Sequence, residues 1–462
     1  MQRKLIPALV ASIFTMGASA TALAHVAAEY NPANDTDVFI SGATAPELAL
    51  LEYMADEFCT PGTLDIYIAT NQFVYYCTPN ASLGLGSTRV ALRKSSVGGS
   101  GNGTGPACAR ATTIPFINFS ALGSATFPTA TVTGSTRTAF SVPASFTTTG
   151  ASVQVDAGVS DLEPSLFPDL TGVASCFTPP AGTTIVSNPL FAIIFGVPVT
   201  TTLRNELQAA QGLTVGSETA ENMPSLTMQQ LRSIYFGTIT NTSSLGLPTA
   251  NPLRVVRRVG TSGTQRSFAA FFGGQRCIPG VRPFVGSDAA PAGNDGLCSN
   301  TNAPVVFAGS GSQNVVNCMN RLNANSNAAA RYAVGVLSTE FVPNTSTGTD
   351  GSGFRFIKIS GAVPNLLHTL ESRHEFYYEA TCQYRSDARA EAIPVLQKIC
   401  GGTNGSPAAG IGGVNVIKKL LVEQTFGPAG VMGLYAPPGS VPPTTLPMTT
   451  ASVRDFPVQS SI

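Results

Sequence analysis

Charge is what this chain has least of. Lysine, arginine, aspartate and glutamate make up 11% of its 462 residues and cancel to a formal net charge of zero, where an ordinary soluble protein is roughly one quarter charged. No global field draws such a chain to nucleic acid or to an anionic membrane, and each local cluster of charge becomes more informative. Histidine is scarce too. His25, His368 and His374 lack metal-ligand spacing, and no two of the nine cysteines form a CxxC pair, so neither zinc nor haem is expected and no cofactor is implied. There is no GK[ST], and GGSGNG does not open a helix after a strand, which argues against a P-loop or a dinucleotide site. No GxSxG elbow is present. Ser–His–Asp chemistry would have to use His368 or His374, whose setting, NLLHTLESRHEFYYEA, reads as structural. Asp156 and Asp161 do not fall on one face of strand and turn, so Asp161 reads as a single turn carboxylate. No enzyme is expected. After the first residues no stretch is apolar enough to span a bilayer, and no repeat has a solenoid period.

What is present begins with MQRKLIPALVASIFTMGASATALAHV. Arg3 and Lys4 give a positive start, Leu5 to Met16 an apolar stretch, and Ala22-Leu23-Ala24 a small-residue cleavage site. This predicts a secretory signal peptide over 1–24, cut after Ala24. Its apolar part is shorter than the ~20 residues a membrane span needs, and no cysteine near the cut supports a lipid anchor. Export to the periplasm or out of the cell predicts disulfides. Sequence neighbours suggest Cys59–Cys77, Cys277–Cys298 and Cys382–Cys400, with Cys108–Cys176 as a longer link and Cys318 left as a buried thiol on a helix.

Strands then alternate with helices. DVFISGATAPELALLEYMADEFC reads strand, turn, helix, with Pro46 in the first helical turn. SVGGSGNGTG reads as a loop, and TIPFINFS, TATVTG and TAFSVPASF as short strands of a β-rich insertion over about 104–150. IVSNPLFAIIFGVPVT (185–200) reads as a buried strand. SLTMQQLRSIYFGTIT is a helix capped by Ser225 or Thr227. PLRVVRRVG is a strand, and Thr264 to Phe272 a helix stopped by Gly273-Gly274. VVFAGSGSQNVVNCMNRL gives another strand, turn and helix, and RYAVGVLSTEF and FRFIKISG give further strands. The Pro- and Thr-rich end reads as an extended tail. The class is α/β with largely parallel sheets.

The turns share a chemistry. Small residues let backbone N–H groups approach a ligand, and a helix start carries partial positive charge. SGATAPE offers Ser41, Thr44 and amides. RVGTSGT offers Arg258, Ser262, Gly263 and Thr264. Facing each other, the two turns would hold an oxyanion between two helix starts and a guanidinium.

These motifs, in this order over roughly residues 38–360, resemble the periplasmic phosphate-binding proteins of ABC transporters, within the type II substrate-binding superfamily. SGATAP resembles that family's first anion loop, VDAGVSDLEP its aspartate segment, SLTMQQLRSIYFGTITN its inter-lobe helix, RRVGTSGT its main phosphate loop, and AGSGSQNVVNCMNRL with RYAVGVLSTEF its later helix and strand. The resemblance implies a two-lobed fold with lobe 1 over 25–187, lobe 2 over 188–365 and a return to lobe 1 over 366–462. It implies a monomer that captures inorganic phosphate or a similar oxyanion in the cleft and hands it to an ABC transporter permease. Thr44, Ala45, Ser96, Asp161, Arg258, Ser262, Gly263 and Thr264 would hold the anion, with Ser95 and Ser100 as alternatives to Ser96. Asp161 would favour a protonated oxyanion over sulfate. The sequence departs from the family at Ala45 (usually Phe), at Gly260 (usually the Asp that orients the arginine) and at Thr242 (commonly Trp). Glu47 adds a negative charge at the first helix start, which would repel a dianion unless it points to solvent. An exported structural or adhesive protein that keeps the fold without the ligand is the competing expectation.

Overall fold

Two α/β lobes share one long strand. In this computed structural model the described residues are 27–110, 114–132, 137–147, 153–167, 176, 178–273, 284–287, 293–346, 351–401, 410–412 and 431–432. The expected signal peptide, His25, Cys277 and the Pro/Thr-rich tail lie outside them.

The first lobe opens with β1 (Thr36–Gly42), whose Val38, Phe39 and Ile40 are buried. Helix α1 (Glu47–Tyr53) follows. Pro46 caps it rather than entering its first turn, and a π turn over Met54–Phe58 continues it. Leu50, Leu51, Met54 and Phe58 recur at helical spacing and fill the core. β2 (Asp65–Ala69), β3 (Gln72–Cys77) and β4 (Val90–Ser95) come next.

The segment read as a Gly/Ser loop is instead helix α2 (Ser100–Ala109). Each glycine within a helix costs about 1 kcal/mol relative to alanine, so propensity alone argues against it. Packing decides otherwise. A Cβ on Gly103 would stand 1.9 Å from the carbonyl oxygen of Val159, and one on Gly158 would stand 1.6 Å from that of Gly103. Glycines let α2 lie directly on the sheet, and that contact places Ser100. Among its described residues the expected β-rich insertion holds a hairpin, β5 (Thr129–Thr131) and β6 (Thr138–Ser141), which extends the sheet through β2. The described part of TIPFINFS forms an isolated bridge, Ile117 to Thr147, and enters a 3-10 turn at Phe119 rather than forming a strand. β7 (Ala157–Ser160) precedes the Asp161 turn.

β8 (Ile185–Thr200) is the shared strand, 16 residues long and nearly all buried. The second lobe runs α3 (Thr201–Ala210), β9 (Ser225–Leu226), α4 (Met228–Tyr235), β10 (Arg254–Arg258), α5 (Gly263–Gly273), β11 (Val306–Gly309), α6 (Ser312–Asn323), β12 (Ala333–Gly335), β13 (Leu337–Ser338) and β14 (Phe354–Ile359). Thr227 caps α4 through a capping box with Gln230. The chain then returns through α7 (Leu366–Leu370), β15 (Tyr377–Arg385), α8 (Ile393–Ile399) and β16 (Val431–Met432).

Strand order is β11-β10-β12-β8-β15-β7-β1-β4-β3-β2-β6-β5. The first part of β8 pairs with β15, and its last residues pair with β12, β13 and β14. The sheet is mixed rather than largely parallel. β1–β4, β1–β7, β10–β11 and β10–β12 are parallel, while β8 is antiparallel to each of its partners. Pairs without the crossing strand are antiparallel too: β2–β3, β3–β4, β5–β6 and β7–β15.

Disulfides join Cys59 to Cys77, Cys108 to Cys176 and Cys382 to Cys400 as expected. Cys298 is joined to Cys318, not to Cys277. Cys318 is buried on α6 as read, but that helix packs on the 3-10 turn Asp295–Ser299, which brings Cys298 against it. The two described histidines are structural. His374 Nε2 lies 2.8 Å from the carbonyl oxygen of Phe195, and His368 Nδ1 accepts from the Val363 N–H.

Candidate functional site between the lobes

The RVGTSGT turn lies at the junction of the lobes, and what meets it there is the start of α2 rather than the SGATAPE turn. β10 ends in Arg258, and the turn that follows starts α5 at Gly263. Its counterpart in lobe 1 is the start of α2. The Gly101 N–H donates to the carbonyl of Thr261 at 2.8 Å. Gly99, at φ +67°, brings its Cα so near that a Cβ would stand 3.3 Å from Ser262 Cα and 3.7 Å from a terminal nitrogen of Arg258. Only glycine adopts that backbone without cost.

Asp161 sits across this junction. A Cβ on Gly263 would lie 2.6 Å from Asp161 Oδ2 and 2.1 Å from Ser100 Oγ. The backbone N–H of Thr264 and the hydroxyl of Ser100 both hydrogen-bond the Asp161 carboxylate, and Ser100 Oγ accepts the Asp161 N–H at 3.0 Å. Oδ1 is buried with no partner. Burial raises the carboxyl to about 6, and Arg258, Ser100, Lys94 and Thr264 hold it from rising further. Of the alternative serines, Ser100 is therefore the one beside Asp161. Ser96 lies elsewhere, between Glu47 and Lys94.

Arg258 is 2% exposed. With Gly260 in place of an orienting aspartate, its guanidinium is held by neutral groups: Nε donates to Gly309 O at 3.2 Å, one terminal nitrogen to Ser312 Oγ at 2.5 Å, and the other to Ser310 O at 3.0 Å. Gln265 Oε1 accepts its backbone N–H. Burial lowers Arg258 to about 10, against the opposing pull of Asp161 and Glu340. The neighbouring Arg257 bonds the carbonyls of Gly286 and Arg258, so it braces the turn.

Glu47 does not point to solvent. Its carboxylate accepts from the Ser96 hydroxyl and stands beside Lys94, whose charge opposes the upward push of burial on Glu47. Lys94, fully buried, donates to Gly42 O and Ala43 O at 3.0 Å each and to Ser96 Oγ at 2.7 Å. Burial lowers it to about 8, with Glu47 and Asp161 pulling back. This lysine offsets the carboxylate that the first helix start adds. A lysine alternating inward along RVALRKSS is the sequence signal for it.

Thr44 and Ala45, from lobe 1, line a cavity of about 320 Å³ that Ser312, Gln313 and Glu340 close from lobe 2. Both oxygens of Glu340 are buried and neither has a well-aligned partner, the Ser338 hydroxyl being the hydrogen-bonding side chain beside them. Burial pushes its carboxyl up to about 8, the nearby Asp161 adds to this, and Ser338 and Arg258 oppose it. Ser310, Ser312 and Glu340 were not expected at the site. Among the described residues, no group of histidine, cysteine, aspartate and glutamate could hold a metal, and no helix is long and apolar enough to cross a membrane.

The structure therefore gathers Asp161, Arg258, Ser262, Gly263 and Thr264 at one junction, and puts Thr44 and Ala45 on the adjoining cavity. Two helix starts, a buried guanidinium and a carboxylate with a free oxygen can hold a small protonated anion.

No protein-family model matches the chain, and no characterised protein matches it by sequence. Solved structures do. A Clostridium perfringens protein described as the substrate-binding component of a phosphate ABC transporter, with bound phosphate, is 15% identical, with a TM-score of 0.41, over 86% of this chain and 99% of that one. A phosphate-binding protein from Stenotrophomonas maltophilia is 15% identical, with a TM-score of 0.39, over 83% and 88%. A human phosphate binding apolipoprotein is 12% identical, with a TM-score of 0.40, over 86% and 91%. Each of the three is a distant likeness, at 15% identity or less and a TM-score of 0.41 or less.

Proposed function

We propose that this chain is a divergent phosphate-type solute-binding protein: exported, without enzymatic activity, and capturing an oxyanion between its lobes. Phosphate is the first candidate ligand, and an ABC permease the partner that would receive it. One observation carries the reading. Asp161 and Ser100 of lobe 1 meet the α5 start of lobe 2 at Gly263, so a single small ligand can touch both lobes. Arg258 supplies the positive charge, Ser262 to Thr264 the donors, and Thr44 and Ala45 the opposite rim. A carboxylate with a free oxygen accepts a hydrogen bond from a protonated oxyanion and repels one that is fully ionised. That predicts phosphate and arsenate over sulfate.

The reading of a structural protein without a ligand draws on one feature. The Asp161 carboxylate already occupies donors at the α5 start, and every nitrogen of Arg258 is engaged. Equilibrium dialysis of the mature protein at pH 7.5 against phosphate, arsenate and sulfate separates the two. Phosphate and arsenate should be retained in one-to-one ratio and sulfate at least about tenfold more weakly, a difference of ~1.4 kcal/mol. Retention of none of the three would favour the structural reading.

A further inference from the structure

The cavity beside the anion turns is too large, and its lining too unlike an anion receptor, for phosphate alone. At about 320 Å³ it has room for on the order of ten waters at ~30 Å³ each. Two of its walls carry carboxylates, Glu47 and Glu340. Glu340 has both oxygens buried with no well-aligned partner and only the Ser338 hydroxyl beside them, and the hydroxyl of Tyr75, whose side chain is fully buried in the same lining, has no partner. Buried polar groups left unpaired cost about 1–3 kcal/mol each, so orphans sharing one cavity point to a ligand that completes them. Leu48, Ile68 and Val132 give the lining an aliphatic part, and three aromatic rings join it. Phe73 and Tyr75 alternate along β3 with their rings parallel, 3° apart in plane and 6.1 Å between centroids, and Phe341 closes the other side.

Carboxylates and aromatic rings lining one cavity suit a cation. An ammonium group is attracted by ring faces and paired by acid oxygens. Ser312 joins this cavity to the anion turns, since it lines the cavity and accepts from Arg258 at 2.5 Å. Asp161 and Arg258 also act on Glu340 through space, so the carboxylates and the guanidinium belong to one charged neighbourhood.

We infer that the cleft takes an organic phosphate, a phosphate monoester or phosphonate bearing an ammonium group on a short chain, with the ammonium held by Glu340 against Phe73, Tyr75 and Phe341, while Glu47 stays paired with Ser96 and Lys94. The inference rests on the oxyanion reading above and extends it to a zwitterionic ligand.

The test is calorimetric titration of the mature protein with three probes: inorganic phosphate, 2-aminoethyl phosphate, and propyl phosphate, which has the same length without the nitrogen. 2-Aminoethyl phosphate should bind at least about tenfold tighter than propyl phosphate, as expected of a desolvated charge pair. Glu340→Gln should bring that ratio to within about threefold, a remnant of ~0.7 kcal/mol. The ratio is internal to each protein, so a general weakening of the variant does not imitate the result. Equal binding of the two esters by the wild type overturns the inference, and so does a ratio retained in Glu340→Gln. Wild-type data alone decide if that variant does not fold. Phosphate binding without the amine preference leaves the oxyanion reading standing, whereas binding of none of the three removes both.

Discussion

Thr264 donates its backbone N–H to the carboxylate of Asp161 across the junction of the lobes. The contact exists because Gly263, just before it, has no side chain to collide with Asp161 and Ser100. Closure of the cleft and composition of the site are therefore one fact. Gly263→Ala should lower stability by about 1–3 kcal/mol in urea unfolding, the usual cost of an inserted methyl group. It should also weaken phosphate binding at least about tenfold, or ~1.4 kcal/mol. Unchanged values would mean that the lobes do not meet at this residue.

Asp161→Asn changes what the junction accepts. A carboxylate can only accept a hydrogen bond, whereas an amide also donates. Fully ionised sulfate should gain on phosphate, and the phosphate-to-sulfate preference at pH 8 should fall at least about tenfold. Competition dialysis measures it.

Glu340 makes a pH prediction with a definite sign. Burial raises its carboxyl to about 8 from an ordinary value near 4.5. Below that ordinary value it is protonated in the folded and unfolded chain alike, and ionisation costs the fold nothing. As pH rises towards 8, the unfolded state ionises freely while the folded state resists, so the contribution to stability is lost. Asp161 and Arg258 are the charged neighbours that act on it. In ligand-free protein, Glu340→Gln should melt close to the wild type at pH 4.5 and progressively above it up to pH 8. A constant difference across that range would contradict the burial of Glu340.

The Cys298–Cys318 link closes a loop with a sequence separation of 20 beneath α6. Replacing both cysteines by serine should cost about 3 kcal/mol in denaturant unfolding. Peptide mapping under non-reducing conditions should find these two residues joined.

Much of the architecture was legible because periodicity and turn chemistry agreed. The apolar 185–200 run could hardly be anything but a buried strand, and RVVRR followed by TSGT announced strand and helix start. Arg258 and Asp161 stood out because charge is so rare here. What failed to show had physical reasons. α2 is built of residues that disfavour helices, and it exists because Gly103 and Gly158 permit a contact that no local pattern reveals. The antiparallel pairing of β8 comes from its passage between lobes. Ser100 displaced Ser96 at Asp161 because register along a Gly/Ser run cannot be read without the helix it forms. Lys94, on β4, and Glu340, in the turn after β13, come from distant parts of the chain, and only the fold brings them to the site.

The central claim is capture of an anion by the turn around Arg258. Titration calorimetry of protein unfolded, dialysed free of bound ions and refolded, comparing the wild type with Arg258→Ala, tests it most directly. The account predicts one phosphate site in the wild type and at least about a hundredfold loss in the variant, ~2.7 kcal/mol. Equal affinity in the two proteins would contradict it.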